Sequence, residues 1–318
     1  MATTLGISVH EPALPERPHG LAAWPGAILK FCRRKPLGAF GGVIVVAMLF
    51  CALFVDTALI GGDEPLLAPS HYNDQSFGEE NLGISWSHPM GTDQLGRDIF
   101  SRILYGARIS IIIGLGVVLI ASVIGLVLGT PSGYFSGWSD TIVQRLIDVV
   151  LAIPALILVI YCVTVFAGRA TAYSRMAWII LIIGVILGAA TVRVVRSATI
   201  ATANNPYVDA ARTIGATHAR IIFIHIVPNV LPVVIVFATV GLGTAILVEA
   251  AISFLGLGIP PPFPAWGAML NISGSSQFRA YPMQAIWPGL AIAFAVYGFN
   301  MFGDALRDVL DPRLRGSR

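Results

Sequence analysis

NPYVDAARTIGATHARIIFIHIVPNV, residues Asn205 to Val230, is a polar and basic insert between two long apolar runs. Asn205-Pro206 reads as a helix start. Asn is a favoured N-cap, and Pro at the first helical position loses nothing, because its N–H would have no partner there. Ala210, Ala211 and Ile214 then fall on one face, with Asp209 and Arg212 beside them. Gly215 suits the left-handed backbone that ends a helix, and Thr217 suits the cap of a second helix running into Pro228. The pattern predicts a helix–Gly–helix elbow held at a membrane surface, a shape suited to docking into another protein. Capping signals of this kind also occur in solvated connectors, so the local pattern alone does not separate a connector from a docking element.

Composition fixes the setting. Hydrophobic residues make up 56% of the chain and charged ones 12%, with a mean hydropathy of +0.78, against roughly 45–50% and 25% in soluble domains. The net charge of +3 is small and the arginines are scattered, which argues against nucleic-acid binding. Cys32, Cys51 and Cys162 are isolated and odd in number, and the histidines show no paired ligand spacing, so neither a disulfide framework nor a metal site is expected. Residues 1–30 are Pro-rich and polar without an apolar signal core, and read as a poorly ordered tail. Arg33-Arg34 suggests a twin-arginine signal, but the apolar run behind it is too long and lacks a small-x-small cleavage site; it reads as a retained span.

Runs of about 17–25 apolar residues mark transmembrane helices, since about 20 residues at 1.5 Å each cross the hydrocarbon core. Six occur, at about 37–60, 109–130, 143–167, 176–195, 228–251 and 285–303. The third opens with Arg145 and Asp148, and Pro154 predicts a kink in it. Continuous runs exclude the alternation of a membrane β-barrel, so the fold class is an all-α integral membrane protein with residues 31–318 as one transmembrane domain. Six spans place both termini on one side. The N-terminal tail, the 131–142 loop with Arg145 just inside the next span, the 196–227 loop and the C-terminal tail carry most of the 20 basic residues. The other side holds only Arg97, Arg102, Arg108, Arg169, Arg175 and Arg279. The positive-inside rule therefore predicts cytoplasmic termini, a cytoplasmic 196–227 loop and an extracytoplasmic segment 61–108.

Uphill transport needs an energy source, and the chain carries none that is recognisable. A phosphate-cradling GxxxxGK[ST] loop is impossible, because the only lysines, Lys30 and Lys35, do not follow a Gly. Ionisable groups that might serve an ion-driven carrier are few: Asp148, Glu249 and Asp304, all near span ends, where structural pairing is the commoner role. Energy would then arrive from a partner, through the elbow.

The spacing of the elbow carries a resemblance. Asp209-Ala210-Ala211, with Gly215 six residues after the acid and Pro228 nineteen after it, resembles the EAA signature of permease subunits of binding-protein-dependent ABC importers, Asp standing for the usual Glu. Glu249-Ala250-Ala251 is a literal EAA, but Leu255 and Ala268 occupy the matching offsets. Three further segments resemble C-type permeases of the dipeptide/oligopeptide/nickel group: HPMGTDQLGRDIFSRILYGARIS (His88–Ser110), SFLGLGIPPPFPAWGAML (Ser253–Leu270) and GDALRDVLDPRLRG (Gly303–Gly316). The resemblance implies a six-helix permease that forms half of a path for di- or oligopeptides and has no catalytic residues and no cofactor. It also implies a homologous second permease, two cytoplasmic ATPases and an extracytoplasmic solute-binding protein as partners, in surrounding lipid. Glutathione and nickel chelates use similar permeases.

Within His88–Ser110, residues 92–108 read as an amphipathic helix at the outer interface, capped by Thr92 or Asp93, with Ile99, Ile103 and Leu104 on one face. Asp93, Arg97, Asp98 and Arg102 supply charge on the rest, either for internal ion pairs or for receiving a solute-binding protein. Pro260–Pro262 and Pro264 predict a stiff extended loop, with Trp266 at the membrane interface. A secondary carrier would show an ion site or repeated halves, and a passive scaffold would not need the elbow spacing.

Overall fold

The computed structural model describes residues 32, 33, 35–57, 62, 64–272 and 275–310. The 1–30 tail, the end of the first predicted run and the basic residues after 310 lie outside them. The chain divides into Met1–Pro36 and Leu37–Arg318; the second unit carries the spans. Among the described residues the helices from Pro36 onward are, in order, α1 (Pro36–Phe54), α2 (Ile99–Ile124), α3 (Thr130–Phe135), α4 (Gly137–Ala152), α5 (Ala155–Ala167), α6 (Ala172–Ala203), α7 (Pro206–Thr213), α8 (His218–Arg220), α9 (Val227–Phe254), α10 (Trp266–Ile272), α11 (Ser275–Ala280) and α12 (Met283–Leu310). A π-helical turn at Gly125–Gly129 joins α2 to α3, and another at Ile221–Ile226 joins α8 to α9.

Among the described residues five stretches are long and apolar enough to cross a membrane: Pro36–Phe54, Ile99–Phe135, Ala172–Ala203, His218–Phe254 and Met283–Val309. The third predicted span is not a single kinked helix. It is the pair α4 and α5, bent by 88° at the break. Ile153 takes an extended backbone (φ −94°, ψ 132°) because the Pro154 ring crowds the helical conformation of the residue before it. α1 ends at Phe54, inside its predicted segment, whereas the helices of the other spans outrun theirs. A run of apolar residues ends at the first charges, whereas helical hydrogen bonding continues wherever those charges find partners.

The predicted interfacial helix at 92–108 does not exist as a separate element. Neither Thr92 nor Asp93 is a cap. Asp98 is, accepting from Ser101 N at 2.7 Å, and residues from Ile99 onward are the first turns of α2 itself.

The α2–α3 rod lies along α6, and small residues let the two backbones approach. Gly125, Gly129 and Gly133 recur every four residues. A Cβ at Gly129 would come within 2.7 Å of the Val192 carbonyl, and one at Gly133 within 2.7 Å of the Arg196 carbonyl. Apolar helices gain little from burial against each other in lipid, so contact of this closeness is what holds them. At the same end, Arg196 on α6 clasps both oxygens of Asp140 on α4, at 2.6 Å each, and Arg193 pairs with Asp148. Asp148 is therefore paired. Glu249, fully buried in α9, accepts a 2.6 Å hydrogen bond from Ser253 Oγ one turn on.

Trp266 departs from expectation. It is 3% exposed, and its Nε1–H donates to the Ile103 carbonyl of α2 at 3.0 Å. The proline-rich loop drives the indole into the core instead of leaving it at an interface. Trp266→Phe, which keeps the bulk and drops the donor, should cost about 1 kcal/mol. Trp266→Ala should cost about 3 kcal/mol. Thermal unfolding in detergent reads both, and a Trp266→Phe variant as stable as wild type would contradict the hydrogen bond's role.

Candidate functional site

The elbow between α6 and α9 is built from its local sequence. Asn205 has the extended backbone of an N-cap (φ −81°, ψ 143°) and Pro206 opens α7. The Asn205 side chain does not cap α7, however. Its Nδ2 donates backwards to the Thr202 carbonyl at 3.0 Å and so closes α6. α7 ends in paired bonds, Ala216 N to Ala211 O and Gly215 N to Arg212 O, both 3.0 Å, the Schellman pattern that needs a left-handed residue. Gly215 supplies it at φ +80°, with nothing within 4 Å of where a Cβ would stand. Its requirement is conformational alone. Thr217 then caps the second arm, its Oγ1 accepting from Arg220 N. That arm runs through the π-turn into α9, and Pro228 sits just beyond it. Pro228 has no N–H to offer Ile224, and Val227 N bonds Ile222 O five residues back.

The faces of α7 differ from the predicted grouping of Ala210, Ala211 and Ile214. Ala211 turns inward with Val208, which is fully buried, onto an apolar seat of Ile221, Ile226, Val230 and Val195. Ala210 faces outward, and Ile214 is 86% exposed. Ala210 and Ile214, four residues apart, share the outward side, and Val208 and Ala211, three apart, share the inward one. Asp209 and Arg212, one turn apart, pair at 3.1 Å on the outward side. Phe223 and Ile224, in the π-turn of the second arm, are exposed too. A buried apolar seat thus carries an outward side with exposed apolar groups, Ile214 foremost, and a charge pair, the composition of a contact surface.

The opposite end is arranged the other way. Asp93 Oδ2 holds Arg97 at 2.7 Å, with Arg102 at 3.8 Å; Arg102 also donates to the Tyr72 carbonyl at 2.8 Å. Asp98 takes Ser101 N and Oγ on one oxygen, both at 2.7 Å, and meets His88 Nδ1 on the other at 3.1 Å. Gln284, at the start of α12, donates to Asn81 Oδ1 and the Thr92 carbonyl, both at 3.0 Å. Arg97, Asp98 and Arg102 are buried, so these charges knit segment 76–102 to the span ends. Phe77, Ile84 and Trp86 are among the exposed side chains there. Periodicity pointed to the charges. It gave no signal for Gln284 or the Tyr72 carbonyl, which lie far off in sequence.

Five or six apolar spans with a structured elbow at one end and a polar knot at the other describe a multi-pass helical membrane protein. Residues 121–316 match the family described as the binding-protein-dependent transport system inner membrane component, and the chain belongs to that family. It is similar to the dipeptide transport system permease protein DppC of Alkalihalophilus pseudofirmus, 40% identical over 288 residues, covering 90% of this chain and 89% of the relative. It is likewise similar to the glutathione transport system permease protein GsiD of Pectobacterium atrosepticum, 40% identical over 273 residues, 86% and 88% of the two chains. GsiD of Escherichia coli O157:H7 is 37% identical over 284 residues, 89% of each. The chain is a permease subunit of an ABC importer, not an enzyme, and works with a partner permease, an ATPase and a binding protein.

Asp98→Ala removes the α2 cap and the His88 contact together and should cost about 2 kcal/mol. Asp98→Asn, which retains a capping oxygen, should cost about half of that. Thermal unfolding of the purified subunit measures both, and an unchanged melting temperature for Asp98→Ala would refute the assignment.

Proposed function

We propose that this permease carries small peptides, and that the elbow bearing Asp209, Ala210, Ala211, Arg212, Ile214, Gly215 and Pro228 receives the work of two partner ATPases. The observation that carries this reading is the exposed Ile214 and Asp209–Arg212 pair on a short helix whose other face is buried. A rigid seat beneath a small contact face converts a push into displacement of whole helices. Dipeptide and glutathione, the cargoes named for the relatives, are both short peptides. The excess of basic residues at the elbow end supports a cytoplasmic elbow and cytoplasmic termini, tail 1–30 included, with segment 61–108 outside. There, Asp93, Arg97, Asp98 and Arg102 hold the segment's shape, and exposed neighbours such as Phe77 and Trp86 meet one solute-binding protein. The second permease supplies the other half of the path. ATP-driven closure of the ATPases brings the two elbows together and rocks the spans about the path, an alternation of access by rigid-body motion.

Ile214→Asp and Asp209→Lys should each lower co-purification of the ATPases and uptake of a labelled dipeptide by about tenfold, the effect of losing one interface contact worth about 1.4 kcal/mol. Gly215→Val should do the same by misdirecting the arms, since a β-branched residue resists φ > 0. Wild-type assembly and uptake in all three variants would overturn the site. For sidedness, Cys32, Cys51 and Cys162 are first replaced. A cysteine at Gln75 should then react with an impermeant thiol reagent in intact cells and one at Thr217 should not; labelling at Thr217 from outside would reverse the orientation.

A further inference from the structure

Tyr134, one residue from the end of α3, stands under both arms of the elbow. Its hydroxyl lies 2.9 Å from Nδ1 of His218, the first residue of the second arm. The guanidinium carbon of Arg212, near the end of the first arm, sits 5.4 Å from the centroid of its ring, within cation–π range. Phe135 adds an edge contact to the same imidazole, with centroids 5.6 Å apart. Tyr134 also packs against the apolar cluster that seats α7. It therefore touches the residues that flank Gly215 on both sides, and it does so from α3, a different element of the chain.

The position matters because of what surrounds it. Gly133, the preceding residue, is pressed on the α6 backbone at the Arg196 carbonyl, so α3 does not slide on α6. Two π-turns flank the region, Gly125–Gly129 in the second span and Ile221–Ile226 below α9. Turns of this kind mark functional sites within helices. Along the chain alone, a push on Ile214 reaches α6 back through α7, and reaches α9 only through the left-handed turn at Gly215. A cross-brace over both arms stiffens that joint and adds a route into the second span.

We propose that Tyr134 is a positioning residue that makes the elbow and the inner end of the second span move as one body, by holding Arg212 on one arm and His218 on the other. The proposal rests on the elbow being the ATPase contact. It adds that transmission runs across space through α3 as well as along the chain. Asp209 balances the charge of Arg212 at 3.1 Å, so Tyr134 supplies geometry to the elbow and no counter-charge.

The test uses the complete importer, with partner permease, ATPases and binding protein, reconstituted in liposomes. Three quantities are measured: ATPases retained on purification, the stimulation of hydrolysis by loaded binding protein, and labelled dipeptide or glutathione moved per ATP. Tyr134→Ala should retain the ATPases and hydrolyse ATP, while solute moved per ATP and the stimulation both fall by about fivefold or more. Tyr134→Phe keeps the ring beneath Arg212 and loses the hydroxyl, so it should fall between Tyr134→Ala and wild type. Wild-type solute per ATP in Tyr134→Ala overturns the proposal. So does loss of the ATPases from both Tyr134 variants, which would make the residue part of docking. Failure of the elbow reading is separate, since it shows as Ile214→Asp retaining full assembly and uptake.

Discussion

The closeness of two backbones governs this molecule. Along Gly125, Gly129 and Gly133 the second span lies so near α6 that no side chain fits between them. Within lipid, apolar side chains gain nothing from hiding against one another, and dispersion at short range becomes the main attraction available to a helix pair. That contact fixes the end of α6 from which the elbow springs. It sets α3 beside the elbow's apolar seat. It also leaves Arg196 and Arg193 on the side where α4 brings Asp140 and Asp148, so the first arm of the bent third element is anchored by charge.

The two ends of the bundle solve opposite problems with similar residues. At the elbow, small and branched side chains, Val208 and Ala211, are buried, and the exposed groups are Ile214 and a local ion pair. At the other end Arg97, Asp98 and Arg102 are buried and hydrogen-bonded, and large apolar groups such as Phe77 and Trp86 are exposed. Buried charges persist only when each finds partners, and here every arginine of the segment has a carboxylate, a carbonyl or both. A polar knot of that kind resists deformation. The elbow, one left-handed glycine between two short arms, is the more compliant end, which suits an element meant to be moved.

Much was legible from residues whose meaning is local. Gly215 could be read as left-handed because the alternatives at a helix end are few, and Thr217 as a cap because its hydroxyl reaches the backbone three residues on. The number of apolar runs and the all-helical class follow from the need to satisfy every peptide group in lipid. Of the site, the elbow's position and its acid were found this way. The inward turn of Ala211 against the outward turn of Ala210 and Ile214 was not, since it depends on which side of α7 meets the apolar seat. Nor was the partnership of Asp93, Arg97, Asp98 and Arg102. Charges on a helical wheel do not reveal whether the protein's own chain returns to cover them. The spacing of Gly125, Gly129 and Gly133 was the one missed signal that the sequence did contain.

The sequence by itself determined the class of the chain, its apolar runs and the chemistry of the elbow. Each of these rests on interactions between residues a few positions apart, or on a solvent that every residue meets alike. Only the tertiary structure decided that the third run breaks into two helices at 88°. It alone placed Trp266 in the core against Ile103, and Tyr134 beneath Arg212 and His218. Those contacts join residues 78 to 163 positions apart, and no local preference encodes which of many compatible surfaces will meet. Close packing selects among them, and it acts only once the helices have been brought together.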